Sequence, residues 1–338
     1  MLPTRHIAST RSEPSYNDED DLSFSLNMVC LENDEMEFVD DYFSLDTVKT
    51  IEFDCTSMKP ECKLNILMLA KFNELIKNNS DRFALSADQL EVCKGVKFNI
   101  ETDSEVPIHS VPYRQPPKIM KKLEEEIKSL KDAGLIRDGS AGTWTAQAFI
   151  IKHNGKERMV INYKQLNART KKFKFPLPRM DDQFDSFQGT KIFSICDLRK
   201  GFNQAEVEEA CRHKAGFVTP FGIYEPNVLN FGLANGPAFF SSIMQNIFCK
   251  YDFIRVYIDD LSLASKSEEE HLEHIEIFFK VLKEHNLKLN PDKCKWFATE
   301  IKLLGHIVDQ NGIRMDMEKI RAIQERKPPT NVKELQSF

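Results

Sequence analysis

The sequence has no apolar run that approaches the ~20 residues needed to span a bilayer. Its N-terminus, MLPTRHIASTRSEPSYNDEDD, lacks the apolar core of a signal peptide. Eight cysteines are scattered along the chain, and none forms a C-x-x-C pair. This spacing disfavours a zinc site or a disulfide framework and favours reduced thiols. We therefore expect an intracellular, cytoplasmic protein that is neither secreted nor bound to a membrane.

Charge is unevenly distributed along the 338 residues, which carry a net charge of −6. Residues 1–60 hold 14 acidic and 4 basic side chains, a net charge of −10. Residues 112–179 hold 16 basic and 6 acidic side chains, a net charge of +10. A positive excess of this size suits a polyphosphate partner such as nucleic acid, although a solvated lysine-rich face is the commoner explanation.

Apolar periodicity predicts a mixture of helices and antiparallel hairpins. Helical spacing runs through 64–79, from the prolines at 116–117 to Gly134, through 236–248, and through 267–286, where Ser267 and Glu270 form a capping box. Two β-rich runs surround the turn sequence HNGK in 146–163, and residues 190–198 resemble a buried strand. This order favours an α+β fold over a doubly wound sheet.

Two adjacent aspartates, Asp259 and Asp260, interrupt the strand-like segment RVYIDDLSLAS. Taken alone, the pair is most simply an acidic turn. Adjacent carboxylates repel each other, however, and a hard divalent cation such as Mg²⁺ removes that cost. Asp197 ends another strand-like segment, KIFSICD. If the two strands are neighbours, Asp197 and Asp259 share one edge and could hold two metal ions for phosphoryl transfer.

Six segments in collinear order resemble the polymerase of gypsy-type LTR retrotransposon Pol polyproteins. YIDD matches the Y-x-D-D box of reverse transcriptases, and FSICDLRKGFNQ matches the segment of their first catalytic aspartate. KERMVINYKQLN, GFVTPFGIYEPNVLNFGLANGPAFF, EEEHLEHIEIFFKVLKEHNLKLNPDKCKWF and LLGHIVDQNGIRMD follow the family pattern too. The resemblance covers about residues 100–338, and its strength lies in the order of the segments rather than in Y-x-D-D alone.

This resemblance implies a right-hand polymerase with fingers and palm and without a thumb. By residue range it implies an acidic, disordered segment (1–60), a helical linker (61–104), basic fingers (105–180), a palm with the primer-grip hairpin (181–327) and a truncated thumb or connection (328–338). The implied activity is RNA-directed DNA polymerase, a nucleotidyltransferase that adds dNTPs to a primer 3′-hydroxyl. The implied partners are an RNA/DNA template–primer duplex and dNTPs.

The resemblance also implies roles for individual residues. Asp197, Asp259 and Asp260 would be catalytic and would bind two Mg²⁺ ions, or Mn²⁺ in their place. The implied dNTP contacts are Lys152, Arg158, Phe202, Phe231 and Gly232, with Phe202 excluding a sugar 2′-hydroxyl and Arg158 binding the triphosphate. The implied primer or template contacts are Tyr257, Leu304, Gly305 and His306.

Two other functions remain open at this stage. Several finger positions depart from the family pattern, including Glu157 beside the presumed phosphate contact Arg158. These departures fit a degenerate retroelement fragment that folds, and only binds nucleic acid, with little or no catalysis. A different enzyme with a palm fold, such as a nucleotide cyclase, lacks support from the finger segments.

Overall fold

A computed structural model describes residues 54, 58–153, 156–176, 180–257, 260–303, 305–317, 321, 324–325 and 332. All of them lie in the unit Tyr42–Phe338. The expected disordered segment 1–60 and the expected thumb fragment 328–338 therefore fall almost entirely outside the described residues. Within the described residues, no helix combines the length and the apolar character that crossing a membrane requires.

The α-helices of this part of the chain are α1 (Ile66–Asn78), α2 (Pro117–Asp132), α3 (Lys164–Arg169), α4 (Met180–Asp185), α5 (Gly236–Phe248) and α6 (Glu268–His285). Its strands are β1 (Lys97–Phe98), β2 (Ile136–Asp138), β3 (Ala146–His153), β4 (Lys156–Asn162), β5 (Ile192–Asp197), β6 (Glu206–Val207), β7 (Phe217–Thr219), β8 (Gly222–Pro226), β9 (Ile254–Tyr257), β10 (Asp260–Ser265), β11 (Lys295–Ala298), β12 (Glu300–Leu303), β13 (His306–Asp309) and β14 (Gly312–Met315).

Local sequence signals explain where the longer helices begin and end. Helix α2 begins with prolines in its first turn, which supply the fixed φ angle that a helix start needs. It is followed by Gly134 at φ +70°, a left-handed conformation that favours glycine. In α6 the Ser267 hydroxyl accepts a hydrogen bond from the Glu270 backbone N–H at 3.3 Å. The predicted capping serine therefore begins α6 as expected.

The strands form a four-stranded sheet in the order β11-β5-β10-β9 and a five-stranded sheet in the order β2-β8-β7-β3-β4. A three-stranded sheet, β12-β13-β14, and the short pair β1-β6 complete the arrangement. The four-stranded sheet is antiparallel throughout. Helices and largely antiparallel sheets occupy one unit, so the predicted α+β fold class is confirmed. The five-stranded sheet combines strands from both the 105–180 and the 181–327 ranges.

Packing in the core explains why strands of the four-stranded sheet have apolar residues at consecutive positions rather than at alternating ones. Phe193 of β5 and Leu261 of β10 are fully buried, and α6 packs against both strands. On α6, Phe278 and Phe279 are also buried. A strand covered on both faces needs apolar residues at consecutive positions. This packing fixes β5 and β10 side by side, and their ends carry the aspartates.

A buried carboxyl group on α2 makes stability depend on pH. Glu126 is 6% exposed, and burial raises its pKa to about 7, although the nearby Lys200 charge acts in the opposite direction. The pKa of Glu126 is higher in the folded than in the unfolded protein. Glu126 therefore contributes most to the stability of the folded protein below about pH 4.5, and this contribution is lost as the pH rises through about 7.

Glu126→Gln should therefore stabilise the protein at pH 8, on the order of 3 kcal/mol, and should change little at pH 4. Urea unfolding of both proteins at the two pH values measures this difference. Glu124→Gln, an exposed position two residues away, is the matched control and should show no such pH-dependent gain. An equal effect of Glu126→Gln at both pH values would contradict a buried, titrating carboxyl group.

Candidate functional site

Two strand pairings bring the predicted carboxylates together at one end of the four-stranded sheet. Asp260 is the backbone partner of Asp197 on β5 and of Tyr257 on β9. Directly opposed residues of antiparallel strands share a face, with Cβ atoms about 4.5–5.5 Å apart. The expected meeting of β5 and β10 is therefore confirmed, and the register sets Asp260 opposite Asp197. Asp259, which was expected to share this edge with Asp197, lies outside the described residues, as does Ile258.

The electrostatic environments of the two carboxylates differ. Asp260 is half-buried, and burial raises its pKa above the ordinary value. The side chain of Asp197 is 18% exposed, and its Oδ2 lies 3.6 Å from Nζ of Lys293. The backbone oxygen of Asp197 also accepts a hydrogen bond from the Asn290 N–H at 2.8 Å. The segment before β11 therefore holds the end of β5 and places one ammonium group beside its carboxylate.

Two carboxylates facing each other across adjacent strands form a donor set that suits a hard divalent cation. Like charges at this separation are stabilised when a cation lies between them. Mg²⁺ typically uses one or two protein carboxylates and completes its coordination with water and substrate phosphate. No cluster of three potential metal-ligating side chains occurs among the described residues. Asp197 and Asp260 are thus the two described carboxylates that could hold such a cation.

The predicted nucleotide-binding aromatic residues pack against each other. The rings of Phe202 and Phe231 have centroids 4.5 Å apart, and Phe240 lies 5.2 Å from Phe202 on the same cluster. Gly232 adopts φ +88°, and its carbonyl accepts a hydrogen bond from Nδ2 of Asn167 at 2.7 Å. Phe202 is buried and Phe231 is half-buried. The structure therefore places Phe202, Phe231 and Gly232 in one neighbourhood, as the sequence motifs predict.

The two predicted basic dNTP contacts lie on one hairpin but not on one face of it. Lys152 of β3 pairs with Glu157, and Arg158 of β4 pairs with Ile151. Because side chains alternate along a strand, this register directs Lys152 and Arg158 to opposite faces. Lys152 is exposed, whereas Arg158 is 3% exposed. The predicted dNTP contacts of Lys152 and Arg158 stay predictions, and they would be made from opposite faces of one hairpin.

The neighbouring Glu157 has a partner of its own. Its carboxylate forms an ion pair with Lys122 of α2, and the Glu157 side chain is 22% exposed. The acidic residue beside Arg158 therefore fastens the β3–β4 hairpin to α2.

The predicted primer and template residues fall in two places. Tyr257 is half-buried beside Asp260, and burial raises its pKa. His306 begins β13, pairs with Leu303 across the β12–β13 turn, and packs edge-on against Phe184 at 5.0 Å. Gly305 occupies that turn at φ +77°, and Leu304 lies outside the described residues. The hairpin expected around 304–306 is present, on the three-stranded sheet.

A buried polar network beneath the aspartate strands was not anticipated from the sequence. Nε2 of His271 lies 2.7 Å from Oγ of Ser194 on β5, and its Nδ1 lies 2.7 Å from Oγ of Ser265 on β10. His271 is fully buried, and burial lowers its pKa to about 3. This neutral imidazole therefore joins the two strands that carry Asp197 and Asp260. The helical pattern of α6 indicates that His271 faces inward, but its contacts with both strands are seen only in the structure.

Residues 150–308 match the family model "Reverse transcriptase (RNA-dependent DNA polymerase)". The Tf2-3 and Tf2-7 transposon polyproteins of Schizosaccharomyces pombe are each 32% identical to the chain over 250 residues, which are 72% of this chain and 19% of each relative. The chain therefore spans about a fifth of the length of these curated relatives.

Solved structures show the same fold. A foamy viral protease-reverse transcriptase in complex with dsDNA superposes with a TM-score of 0.77 at 21% identity, covering 85% of this chain and 61% of that one. A foamy viral protease-reverse transcriptase in complex with an RNA/DNA hybrid gives a TM-score of 0.72 at 21% identity, covering 82% and 38%. At this level of identity the likeness establishes the architecture.

Proposed function

We propose that this chain, whose residues 150–308 match the reverse transcriptase family, is a nucleotidyltransferase that copies an RNA template into DNA. Its substrates are dNTPs and a primer 3′-hydroxyl on an RNA/DNA or DNA duplex. We place it inside the cell, which agrees with the free cysteines among the described residues. The observation that carries the proposal is the register that sets Asp197 of β5 opposite Asp260 of β10.

The donor set at the sheet end fits Mg²⁺, with Asp197 and Asp260 as ligands and Asp259 as the third carboxylate of the motif. A bound pair of divalent cations would activate the primer hydroxyl and stabilise charge on the leaving pyrophosphate. Asp260 is half-buried, and a carboxylate away from bulk water attracts a cation more strongly than an exposed one does. Mn²⁺ satisfies the same oxygen ligands.

The remaining residues position the reactants. Asn290 holds the backbone of Asp197, and Lys293 contributes a positive charge at 3.6 Å from its carboxylate. The rings of Phe202 and Phe231, whose centroids lie 4.5 Å apart, form an aromatic wall. In this proposal the wall supports the sugar of the incoming nucleotide, and Phe202 occupies the space that a 2′-hydroxyl needs.

Primer extension tests this function directly. Purified protein, poly-rA annealed to labelled oligo-dT, dTTP and Mg²⁺ should yield primers lengthened in single-nucleotide steps, with one pyrophosphate released per step. Omission of Mg²⁺ or of the template should abolish both products. Absence of extension with either Mg²⁺ or Mn²⁺ would overturn the proposed activity.

A second candidate function is supported by the β3–β4 hairpin. The burial of Arg158 and the opposite orientation of Lys152 suit a protein that grips nucleic acid without binding a triphosphate productively. In that case the extension assay gives no product, while the same protein retains the duplex in a filter-binding assay and releases it as salt increases.

The role proposed for Phe202 predicts a change in sugar selectivity. Phe202→Val should raise the rate of rNTP incorporation relative to dNTP incorporation at least about tenfold, because the smaller side chain leaves room for a hydroxyl group. Single-nucleotide insertion of rUTP and dTTP opposite template adenine measures the ratio. Phe240→Val removes a ring from the same cluster and is the matched control. An unchanged rUTP/dTTP ratio in Phe202→Val would assign Phe202 to packing alone.

A further inference from the structure

Two cysteines face each other at the edge of the candidate site. Cys196 immediately precedes Asp197 on β5 and is fully buried, whereas Cys294 immediately precedes β11 and is half-buried. Lys295 pairs with Ile195 in the β11–β5 ladder, so one step outward along both antiparallel chains brings Cys294 opposite Cys196. The Cys294 thiol lies close enough to the Cys196 thiol to interact with it, and Sγ of Cys294 donates to the Asn290 carbonyl at 3.1 Å.

This placement meets the geometric requirements of a disulfide. Opposed residues of antiparallel strands have Cα atoms about 4.5 or 5.5 Å apart, depending on the type of pair. Disulfides usually join Cα atoms about 4.4–6.8 Å apart, with an S–S bond of about 2.05 Å. Side chains of directly opposed residues lie on the same face of the two strands, so side-chain rotation with a small backbone shift is sufficient to join the sulfur atoms. The other free cysteines of the described residues, Cys62, Cys93, Cys211 and Cys249, have no such thiol partner among the contacts of the described part.

We propose that Cys196 and Cys294 form a reversible disulfide when the protein meets hydrogen peroxide, and that this bond slows nucleotide addition. The bond itself is independent of the activity, whereas its effect on nucleotide addition rests on the proposed polymerase function. Intracellular disulfides outside hyperthermophiles are usually transient and redox-sensing, which suits a pair that is reduced in the resting protein.

Exposure determines the order of the chemistry. Cys294, the more accessible of the two, loses its proton, and its thiolate attacks one peroxide oxygen. The O–O bond breaks, Cys294 becomes a sulfenic acid, and the departing hydroxide takes up the released proton as the first water. The sulfur of Cys196 then attacks the sulfur of Cys294, the S–O bond breaks, and the second water leaves with the proton of the Cys196 thiol. Two thiols lose two electrons and two protons, and hydrogen peroxide is reduced to two molecules of water.

The position of the bond links it to the site. Cys196 is covalently next to Asp197, and Cys294 is next to Lys293, whose ammonium group contacts the Asp197 carboxylate. A covalent bond between the two sulfur atoms draws these two backbone segments together. Displacement of a reacting group by about 1 Å can reduce a rate by about 100-fold. We therefore expect oxidation to lower the rate of nucleotide addition at least about tenfold.

The test combines peptide mapping with primer extension on the intact chain. The protein is treated with hydrogen peroxide, its remaining thiols are blocked, and one half is then reduced with dithiothreitol. The expected result is a cross-linked peptide pair containing Cys196 and Cys294, a loss of extension rate of at least about tenfold, and recovery of both after reduction. Cys294→Ser should form no such pair and should keep its extension rate through the treatment.

Further variants separate this bond from other oxidation. Cys249→Ser, which removes an exposed cysteine far along the chain from both sulfurs, should behave like the wild type. Cys196→Ala should resist peroxide as Cys294→Ser does. Absence of the Cys196–Cys294 peptide pair overturns the proposal, and so does a mapped bond that leaves the extension rate unchanged. If the reduced wild type extends no primer, the polymerase proposal fails, and the peptide map still decides whether the bond forms.

Discussion

Asp197→Asn should reduce the rate of single-nucleotide addition at least about 1,000-fold, which corresponds to a loss of about 4 kcal/mol of transition-state stabilisation. The substitution keeps the shape of the side chain and removes its negative charge. Asp197 is the backbone partner of Asp260, so its loss leaves a single carboxylate from these two strands to hold a cation. Single-turnover insertion of dTTP at saturating nucleotide measures the rate.

The matched control for this substitution is Asp252→Asn. Asp252 is an exposed carboxylate in the turn that precedes β9, and we expect that variant to insert dTTP at the wild-type rate. Circular dichroism should show that both variants are folded. If Asp197→Asn inserted dTTP within tenfold of the wild-type rate, Asp197 would have no role in the chemistry.

His271→Ala should destabilise the protein by about 3–5 kcal/mol. The substitution opens a cavity in a fully buried position and leaves the hydroxyl groups of Ser194 and Ser265 without the imidazole between them. The His271 ring also packs edge-on against Phe297 at a centroid distance of 4.8 Å. Urea unfolding measures the change, and His285→Ala, near the end of the same helix, should cost far less.

The pH dependence of His271 has a defined direction. Its folded pKa, about 3, lies below the ordinary value of 6.5. The stabilising contribution is therefore complete above about pH 6.5 and is lost as the pH falls toward 3. His271→Asn, which keeps a polar side chain and does not titrate, should lose less stability than the wild type between pH 6.5 and pH 4. Parallel losses in the two proteins would contradict a buried neutral imidazole at this position.

Local sequence was sufficient to locate the elements that carry the site. The boundaries of α2 and α6 follow from proline, glycine and a capping serine, which act within one helical turn. The apolar run before Asp197 and the runs around the Asp259–Asp260 pair indicated strands, and motif order indicated the family. Each of these signals involves residues that are close together in the chain, so it can be recognised from the sequence alone.

The same patterns could not predict the register of strand pairs or the buried contacts. The sequence suggested that Asp197 and Asp259 share one edge, but it could not give the register that pairs Asp197 with Asp260, because register depends on how two strands distant in the chain pack into one core. The register of the β3–β4 hairpin likewise separates Lys152 from Arg158, a difference of one residue that moves a side chain to the other face.

Tertiary contacts between distant segments explain the other omissions. The ammonium group of Lys293 reaches Asp197 from a segment almost 100 residues away. In the sequence, His271 is one polar residue of an amphipathic helix. Only the structure shows that it lies between Ser194 and Ser265. Cys196 and Cys294 appeared as scattered thiols and become a pair only when β11 lies against β5.

Titration with Mn²⁺ tests the central claim most directly, because it examines the carboxylate pair without a primer or a template. Electron paramagnetic resonance of free Mn²⁺ measures the amount bound by the wild type, Asp197→Asn, Asp260→Asn and Asp252→Asn. We predict that the wild type and Asp252→Asn bind Mn²⁺ competitively with Mg²⁺, and that Asp197→Asn and Asp260→Asn bind it at least about tenfold more weakly. Equal Mn²⁺ binding by all four proteins would contradict a metal site formed by Asp197 and Asp260.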